Sequence, residues 1–345
     1  MHIASPLLLL SGFLFTVAAC APRYKGPVSD HYDGKKFFNP GAEPHSTGSL
    51  LKWLLNRDKG PWPEQPNAYV GAKPATRIEG DSLVLTFVNH STFLIQTNGL
   101  NILTDPVWSN RVGPTSWLGI KRKRPPGLQL DELPPIDVVL LSHNHYDHLD
   151  LPTIKKLVKA HNPLFVTPLG VSYLPKSVNG RTTRELDWND TLRINDKLSL
   201  TCTQAQHFSN RGLGDRNKTL WCGYLINTSF GTTFFCGDSG YGSHFKQIAG
   251  LAERSGGPIK LALLPIGSYR PAWFMAPVHM SPAGAVQTFL DLKATQAVGI
   301  HFGTFQQGDD GLFEPATDLH KALLEKEISE AKFLVPKEGH PMVFR

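Results

Sequence analysis

Residues 140–150 read LLSHNHYDHLD and place three histidines and an aspartate within six positions, directly after an apolar run. Imidazole is the commonest metal-binding side chain, and histidines two positions apart on a loop can turn toward one ion. His143 and His145 have this spacing. Asp147 and His148 leave the same tight loop on its other side. The stretch therefore predicts two neighbouring metal sites, one for each pair.

The segments around this cluster predict alternating strands and helices. The apolar run 136–142 is typical of a strand buried on both faces, and Asp150 followed by Pro152 is typical of a helix start. Similar patterns predict strands at 82–88, 92–97, 101–104, 164–167, 198–204, 221–227, 233–236, 260–265, 297–301 and, as the closing strand, 332–335, with helices at 281–292 and 314–328. Meanders joined to strand-helix-strand units predict an α/β fold with two stacked sheets between outer helices, a four-layer αββα sandwich.

Three further candidate ligands each follow a predicted strand. His207 lies in TCTQAQHF, Asp238 in FFCGDSGYG and His301 in AVGIHFGTF. Loops at one edge of a sandwich bring such positions together. Histidine and carboxylate ligands without a thiolate suit a catalytic zinc pair, which activates water for attack on an ester, an amide or a phosphodiester. The residues therefore predict a hydrolase with two zinc ions per chain and leave its substrate open.

The order H-x-H-x-D-H followed by later His, Asp and His resembles the signature of the metallo-β-lactamase superfamily, from about Leu83 onward. Within it, FFCGDSGYG, LPIGSYRPAWFM, IHFGTF and LTDPVW ahead of the basic KRKRPP resemble the N-acylphosphatidylethanolamine-hydrolysing phospholipases D. The resemblance implies the metallo-β-lactamase fold. It also implies a first zinc held by His143, His145 and His207, a second held by Asp147, His148 and His301, and a bridge formed by Asp238.

The same resemblance implies a reaction and further site residues. The reaction is zinc-dependent hydrolysis of N-acylphosphatidylethanolamine-like phospholipids to N-acylethanolamine and phosphatidic acid, with Asp147 and Asp238 as catalytic carboxylates. Tyr146 and His279 are expected to contact the substrate phosphate. Two more residues are expected to hydrogen-bond a ligand imidazole, or else to be buried structural polar groups: Asp105 and His90.

Two alternative functions stay open. The first keeps the metals and changes the substrate to a lactone, a β-lactam or a nucleic-acid phosphodiester, because one activated water can attack all of them. The second is a non-catalytic envelope lipoprotein, which predicts broken ligand positions, whereas every candidate position holds a competent donor. Nucleic acid is not expected as a partner, since the concentrated basic run lies on a single loop.

The first residues predict export and a lipid anchor. Residues 1–19 contain a short apolar run that ends in small residues, which is typical of a signal peptide. VAAC at 17–20 resembles the bacterial lipobox, in which Cys20 receives lipid, and Ala21 after it favours the outer membrane. We therefore expect a lipid-anchored protein of the bacterial cell envelope that faces the periplasm.

The rest of the chain is interpreted as two parts. Residues 20–78 form an N-terminal extension with an apolar helix at 49–55, and residues 79–345 form the metallo-hydrolase domain. The helix could pack on the core, touch a bilayer or line an acyl-chain groove. The resemblance also implies a homodimer.

Charge and cysteines add two expectations. The net charge is +6, and Lys and Arg alternate at 121–124 beside Trp117, which suits an anionic membrane surface and a phospholipid substrate, although a solvated loop fits equally. Apart from Cys20, three cysteines remain, so at most one disulfide can form between them. Cys202 and Cys222 are the candidate pair, and Cys236 is interpreted as a buried free thiol.

Overall fold

The computed structural model describes residues 24–41, 47–65, 71–180 and 182–345. The predicted signal peptide at 1–19 and the predicted anchor at Cys20 lie outside these residues. Across the described ranges, no helix has the length and apolar character needed to cross a membrane.

The chain is built from short strands that form two large sheets and one small hairpin. In chain order the strands are β1 Leu83–Asn89, β2 Thr92–Thr97, β3 Leu100–Thr104, β4 Arg111–Val112, β5 Ile120–Lys121, β6 Val138–Leu140, β7 Leu164–Pro168, β8 Thr183–Leu186, β9 Thr191–Asn195, β10 Leu198–Thr203, β11 Gly223–Thr228, β12 Gly231–Phe235, β13 Ile259–Pro265, β14 Gln296–Ile300, β15 Phe333–Leu334 and β16 Pro341–Phe344. The hairpin pairs β4 with β5.

The two large sheets repeat one pattern. The first has the order β16-β1-β2-β3-β6-β7-β8 and the second the order β15-β14-β13-β12-β11-β10-β9. In the first sheet, β1 to β3 form an antiparallel meander and β6 to β8 continue it in parallel. In the second sheet, β9 to β12 are antiparallel and β13 to β15 are parallel. Each sheet thus joins an antiparallel meander to parallel strands, as the sequence pattern predicts.

The part of the chain that the structure describes also forms seven α-helices. They are α1 Thr47–Leu55, α2 Leu151–His161, α3 Tyr173–Ser177, α4 His244–Ser255, α5 Ala272–Met275, α6 Pro282–Asp291 and α7 Glu314–Glu325. Helix α2 buries Ile154 and Leu157 against first-sheet residues such as Val139. Helices α4 and α6 bury Phe245 and Val286 in the main core. The predicted four-layer αββα sandwich is confirmed, because these helices bury apolar side chains against both sheets.

The structure differs from the sequence prediction at several elements. The strand at Phe333–Leu334 joins the second sheet but does not close the chain, because β16 follows it and pairs with β1. Strands β8 and β9 and helix α4 were not predicted. β9 alternates exposed and half-buried residues, as an edge strand does, so its apolar signal is weak. The three described cysteines are free and buried, so the candidate disulfide between Cys202 and Cys222 is not formed.

The predicted N-terminal extension contributes to the main core. Tyr32 and Phe37 are 2% and 1% exposed and belong to the same apolar cluster as β1 and β11. The backbone of Phe37 donates to the carbonyl of Asn217 at 2.8 Å. Residues 24–41 therefore pack as part of the sandwich, while the boundary at residue 79 stays a prediction.

Candidate metal centre

Four loops bring the predicted ligands together, and each loop follows a strand. Residues 143–148 follow β6, His207 follows β10, Asp238 follows β12 and His301 follows β14. The backbone turns sharply at the last of these, because His301 has a left-handed φ of 59°. All seven predicted ligands lie at this edge of the sandwich, in the groups that follow.

The first group consists of His143, His145 and His207. Nδ1 of His145 lies 2.8 Å from Nε2 of His143 and 3.3 Å from Nε2 of His207. Burial is the main cause that lowers the pKa of all three imidazoles, to about 4 for His145 and well below the usual value for the other two. These histidines are therefore neutral near pH 7, which is the form that donates a lone pair to a metal.

The second group consists of Asp147, His148 and His301, with His90 beside them. Oδ2 of Asp147 lies 3.1 Å from Nε2 of His148, 3.6 Å from Nε2 of His301 and 2.9 Å from Nε2 of His90. The four candidate ligand atoms lie within 4.8 Å of one another, which is close enough for one ion. His90 was not predicted as a candidate ligand of this group.

Asp238 lies between the two groups. Its Oδ2 atom is 3.1 Å from Nε2 of His301 and 3.2 Å from Nε2 of His148, both in the second group. The same oxygen is 3.7 Å from Nε2 of His207 and 3.9 Å from Nε2 of His143, in the first group. One carboxylate thus reaches both groups, which is the placement that a bridging ligand requires.

The buried carboxylates and imidazoles of the site shift one another's pKa values. Burial raises the pKa of Asp238 and Asp147, but neighbouring histidines, His148 foremost, lower both well below the usual range. Burial lowers the pKa of His148 and His301, but Asp238 and other carboxylates raise that of His148 well above its usual value and that of His301 to about 9. The carboxylates therefore favour the protonated forms of His148 and His301. A metal cation that binds the same nitrogen atoms would displace these protons.

Unpartnered polar atoms at this point fit a metal centre. Oδ1 of Asp238 is buried without a hydrogen-bond partner, and Nε2 of His148 and Nε2 of His301 are buried beside carboxylate oxygens. Buried polar atoms are normally satisfied, and a cluster of lone-pair atoms in this arrangement suits a shared cation. Nitrogen and oxygen ligands without sulfur fit a pair of divalent cations in a catalytic site.

The two predicted supporting residues, Asp105 and His90, contact the candidate ligands in different ways. Asp105 accepts a hydrogen bond from Nδ1 of His148 at 2.7 Å, so the expected contact with a ligand imidazole is confirmed. Asp105 is itself fixed by Ser142, whose backbone N and Oγ donate to it at 2.7 and 2.6 Å. His90 hydrogen-bonds the carboxylate of Asp147 at 2.9 Å, and its ring packs against the imidazole of His301 with centroids 4.1 Å apart.

Sequence reasoning missed two supporting contacts. Nε2 of Gln307 donates to Oδ2 of Asp147 at 2.8 Å, and the carbonyl of Val278 lies 2.9 Å from Nδ1 of His207. A carbonyl has no sequence signal. Gln307 lies six positions after His301 on an irregular loop, where no periodicity predicts the direction of a side chain.

A pocket of about 460 Å³ opens onto the candidate metal ligands His145 and Asp238. His279 lines it, as its predicted role requires, and has Nδ1 3.9 Å from Oδ2 of Asp238. The walls are mainly apolar and comprise Leu50, Trp53, Ile120, Phe208, Phe274, Met275 and Val278, with Arg216 and Gln307. The predicted apolar helix, α1, therefore forms one wall of the pocket.

Tyr146 does not line this pocket, in contrast to the expectation that it contacts the substrate. Its hydroxyl donates to the carbonyl of Arg211 at 2.6 Å, and the guanidinium of Arg211 lies 4.1 Å from its ring centroid. The ring packs on a small apolar cluster with Val107 and Phe305 and lines a separate pocket. These contacts direct the ring away from the candidate ligands that flank it in sequence.

The predicted basic patch is largely internal. Arg122 is buried, where its guanidinium donates to two backbone carbonyls at 3.1 and 3.0 Å. Arg124 forms an ion pair with Glu338. The basic residues available to a partner in this run are therefore Lys121 and Lys123.

An αββα sandwich that gathers histidines and aspartates able to bind metal at one sheet edge is typical of a metal-dependent hydrolase. A sequence model of the family described as the beta-lactamase superfamily domain matches residues 100–302. The chain belongs to the metallo-β-lactamase superfamily.

Similar proteins agree with this assignment. The chain is 37% identical over 335 residues to an uncharacterized protein of Mycobacterium tuberculosis, with 94% of this chain and 84% of the relative covered. It is 31% identical over 323 residues to N-acyl-phosphatidylethanolamine-hydrolyzing phospholipase D 1 of Caenorhabditis elegans, with 88% and 90% covered. A solved metallo hydrolase of the archaeon Ignicoccus hospitalis shares the fold, with a TM-score of 0.57 at 21% identity over 76% of this chain and 99% of that chain.

Proposed function

We propose that the protein is a zinc-dependent phosphodiesterase of phospholipase D type. Its substrates are N-acylphosphatidylethanolamine-like phospholipids, and its products are N-acylethanolamine and phosphatidic acid. The observation that carries the proposal is the pocket, which has metal ligands at one end and apolar walls elsewhere. Such a pocket suits a molecule that joins a phosphodiester to acyl chains. The name and 31% identity of the nematode relative support the same substrate class.

The side chains divide the work of this reaction. Zinc ions held by the two ligand groups would lower the pKa of water and polarise phosphoryl oxygens. Contacts to Asp147 from His90, His148 and Gln307 all reach Oδ2, and we assign Oδ1 to orienting the attacking water. The oxygen of that water bonds to phosphorus, and the bond from phosphorus to the ethanolamine oxygen breaks. The ethanolamine oxygen takes a proton as N-acylethanolamine leaves. His279, at the pocket wall, contacts the phosphate.

We also propose that the pocket faces a phospholipid membrane. Large apolar side chains are exposed on elements next to the pocket, with Leu51 58%, Leu55 76%, Trp117 74% and Trp273 51% exposed. The ammonium of Lys52 lies 4.9 Å from the ring centroid of Trp273 and adds a cation suited to lipid phosphate.

Three expectations about the whole protein remain proposals. A lipid on Cys20 would hold the chain at the cell envelope, at the outer membrane and facing the periplasm, and the protein could act as a homodimer. Radiolabelled fatty acid incorporated into wild type but not into Cys20→Ser would support the anchor. Labelling of both would exclude it.

The function is tested with zinc-loaded protein on vesicles that contain N-acylphosphatidylethanolamine and ordinary phosphatidylethanolamine. Mass spectrometry should detect N-acylethanolamine and phosphatidic acid in equal amounts. His145→Ala should lose this activity, whereas His161→Ala, at the end of α2, should retain it. Preferential release of ethanolamine would change the proposed substrate. Hydrolysis of a lactone or β-lactam without hydrolysis of either lipid would replace the proposal by the alternative hydrolase.

Membrane contact is tested separately. Leu51→Ser combined with Leu55→Ser should weaken binding to phospholipid vesicles and leave hydrolysis of a water-soluble diester unchanged, because both side chains point to solvent. Equal vesicle binding by the variant and wild type would contradict a membrane-facing pocket.

A further inference from the structure

Arg216 is a cation in the apolar pocket that the ligand set does not explain. It lines the pocket together with His145 and Asp238 and is half-buried. No ion pair to Arg216 is present in the part of the chain that the structure describes. The neighbouring carboxylate of Asp215 is committed elsewhere, because it accepts from the backbone N of Arg211 at 3.0 Å and of Gly212 at 2.8 Å.

The guanidinium is held in place by an aromatic ring. Cζ of Arg216 lies 4.4 Å from the ring centroid of Phe208. The same ring also packs against two candidate ligands, His145 with ring centroids 4.6 Å apart and planes at 68°, and His207 with ring centroids 4.8 Å apart. A single aromatic ring therefore separates the guanidinium from the first ligand group. Stacking leaves the in-plane N–H donors of a guanidinium free for a bidentate contact.

A half-buried cation without an ionic partner has an energetic cost. Burial lowers the pKa of Arg216, which means that the charged form has lost part of its hydration. An anion that enters the pocket restores a favourable environment for this charge. A guanidinium matches a phosphate better than it matches the carbonyl oxygen of a neutral ester or amide, because two N–H donors can bind two charged oxygens.

We propose that Arg216 is a phosphate-binding residue of the pocket and that it selects phosphate esters over neutral esters and amides. This inference rests on the proposed function, because the phosphate that Arg216 binds is the phosphodiester of the substrate that is hydrolysed. Negative charge on the phosphoryl oxygens increases as water attacks, so the contact strengthens in the transition state. Leu50 and Trp53 line the same pocket and would give the acyl chains apolar surroundings next to the guanidinium of Arg216.

The test compares Arg216→Met and Arg216→Lys with Arg193→Met. The last variant removes the same charge from the edge strand β9, where the side chain is 72% exposed. Isothermal titration of inorganic phosphate into zinc-loaded protein measures the site without turnover. Arg216→Met should bind phosphate on the order of ten times more weakly, Arg216→Lys should be intermediate, and Arg193→Met should match wild type. Equal phosphate affinity in Arg216→Met and wild type, at equal metal content, would overturn the proposal.

Selectivity is measured with bis(p-nitrophenyl) phosphate and the neutral ester p-nitrophenyl acetate. Arg216→Met should lower kcat/KM for the diester on the order of 100-fold and change that for the neutral ester little. Equal losses for both substrates would show that Arg216 only supports the pocket wall. Phosphate binding and diester hydrolysis that depend on Arg216, without release of N-acylethanolamine from vesicles, would reject the lipid substrate while keeping the phosphate site. Lipid hydrolysis that Arg216→Met leaves unchanged would reject the phosphate site alone.

Discussion

Asp105→Asn is expected to weaken metal binding although it removes no metal ligand. In the wild type, Oδ1 of Asp105 accepts from the backbone N of Ser142, and Oδ2 accepts from Oγ of Ser142 and from Nδ1 of His148. The backbone N–H of Ser142 needs an acceptor, so the side-chain oxygen of the asparagine must stay next to it. The NH2 group of the asparagine then faces Nδ1 of His148.

This orientation reverses the hydrogen bond to the imidazole. The asparagine N–H donates to Nδ1 of His148, which moves the imidazole proton to Nε2, the atom that faces Asp147 and Asp238. Nε2 then has no lone pair for a metal. Removing such a supporting contact typically costs about 10-fold to 100-fold in metal affinity, or about 1.4–2.7 kcal/mol. Rotating the amide instead leaves two buried donors facing each other, at a cost of about 1–3 kcal/mol.

The assay is competition between metal-free protein and a zinc-binding dye. Asp105→Asn should bind its weaker zinc about 10-fold to 100-fold less tightly than wild type. Asp137→Asn is the matched control, because it removes a carboxylate that pairs with Arg77 outside the metal centre. Wild-type affinity at both sites in Asp105→Asn would refute the tautomer argument. The same loss in Asp137→Asn would assign the effect to net charge.

Three more perturbations have defined outcomes. Gln307→Leu removes the 2.8 Å hydrogen bond to Asp147 and should weaken zinc binding about 10-fold in the dye assay, while Gln306→Leu should not. Burial lowers the pKa of His31, but two acidic partners raise it by more. His31 therefore stabilises the fold fully below its unfolded pKa of about 6.5, and this contribution is lost as pH rises through the higher folded pKa. The difference in Tm between wild type and His31→Phe should accordingly be larger at acid than at alkaline pH, and a constant difference would contradict it. Phe37→Ala should destabilise the fold by about 3–5 kcal/mol in urea unfolding, and a change below about 1 kcal/mol would show that residues 24–41 pack independently.

The clustering of the candidate ligands could be predicted because its signal is local. Each ligand follows an apolar strand, and an αββα sandwich brings such strand ends to one edge. His207, Asp238 and His301 were therefore predicted from single short motifs, although they are far apart in sequence. The resemblance to a known superfamily fixed how the ligands divide into two groups, which spacing alone left open.

Side-chain direction on loops could not be predicted. Tyr146 stands between candidate ligands in sequence yet points into another cluster, where Arg211 contacts both its hydroxyl and its ring. Arg122 was predicted as part of a basic surface, but two carbonyls and the ring of Phe305 hold it inside. In both cases the partner comes from a distant part of the chain, and its position depends on the completed fold.

Contacts between distant parts of the chain also link helix α1 to the metal centre. Nε1 of Trp53 donates to Asp309 at 3.1 Å, and Arg57 pairs with the same carboxylate and donates to the carbonyl of Gly308 at 2.8 Å. The loop that receives these contacts also carries Gln307, which holds Asp147. Deleting α1 would therefore remove a pocket wall and release the loop that orients a metal ligand. Loss of activity after such a deletion does not measure membrane contact, whereas substitution of the exposed leucines alters only the outer face of the helix.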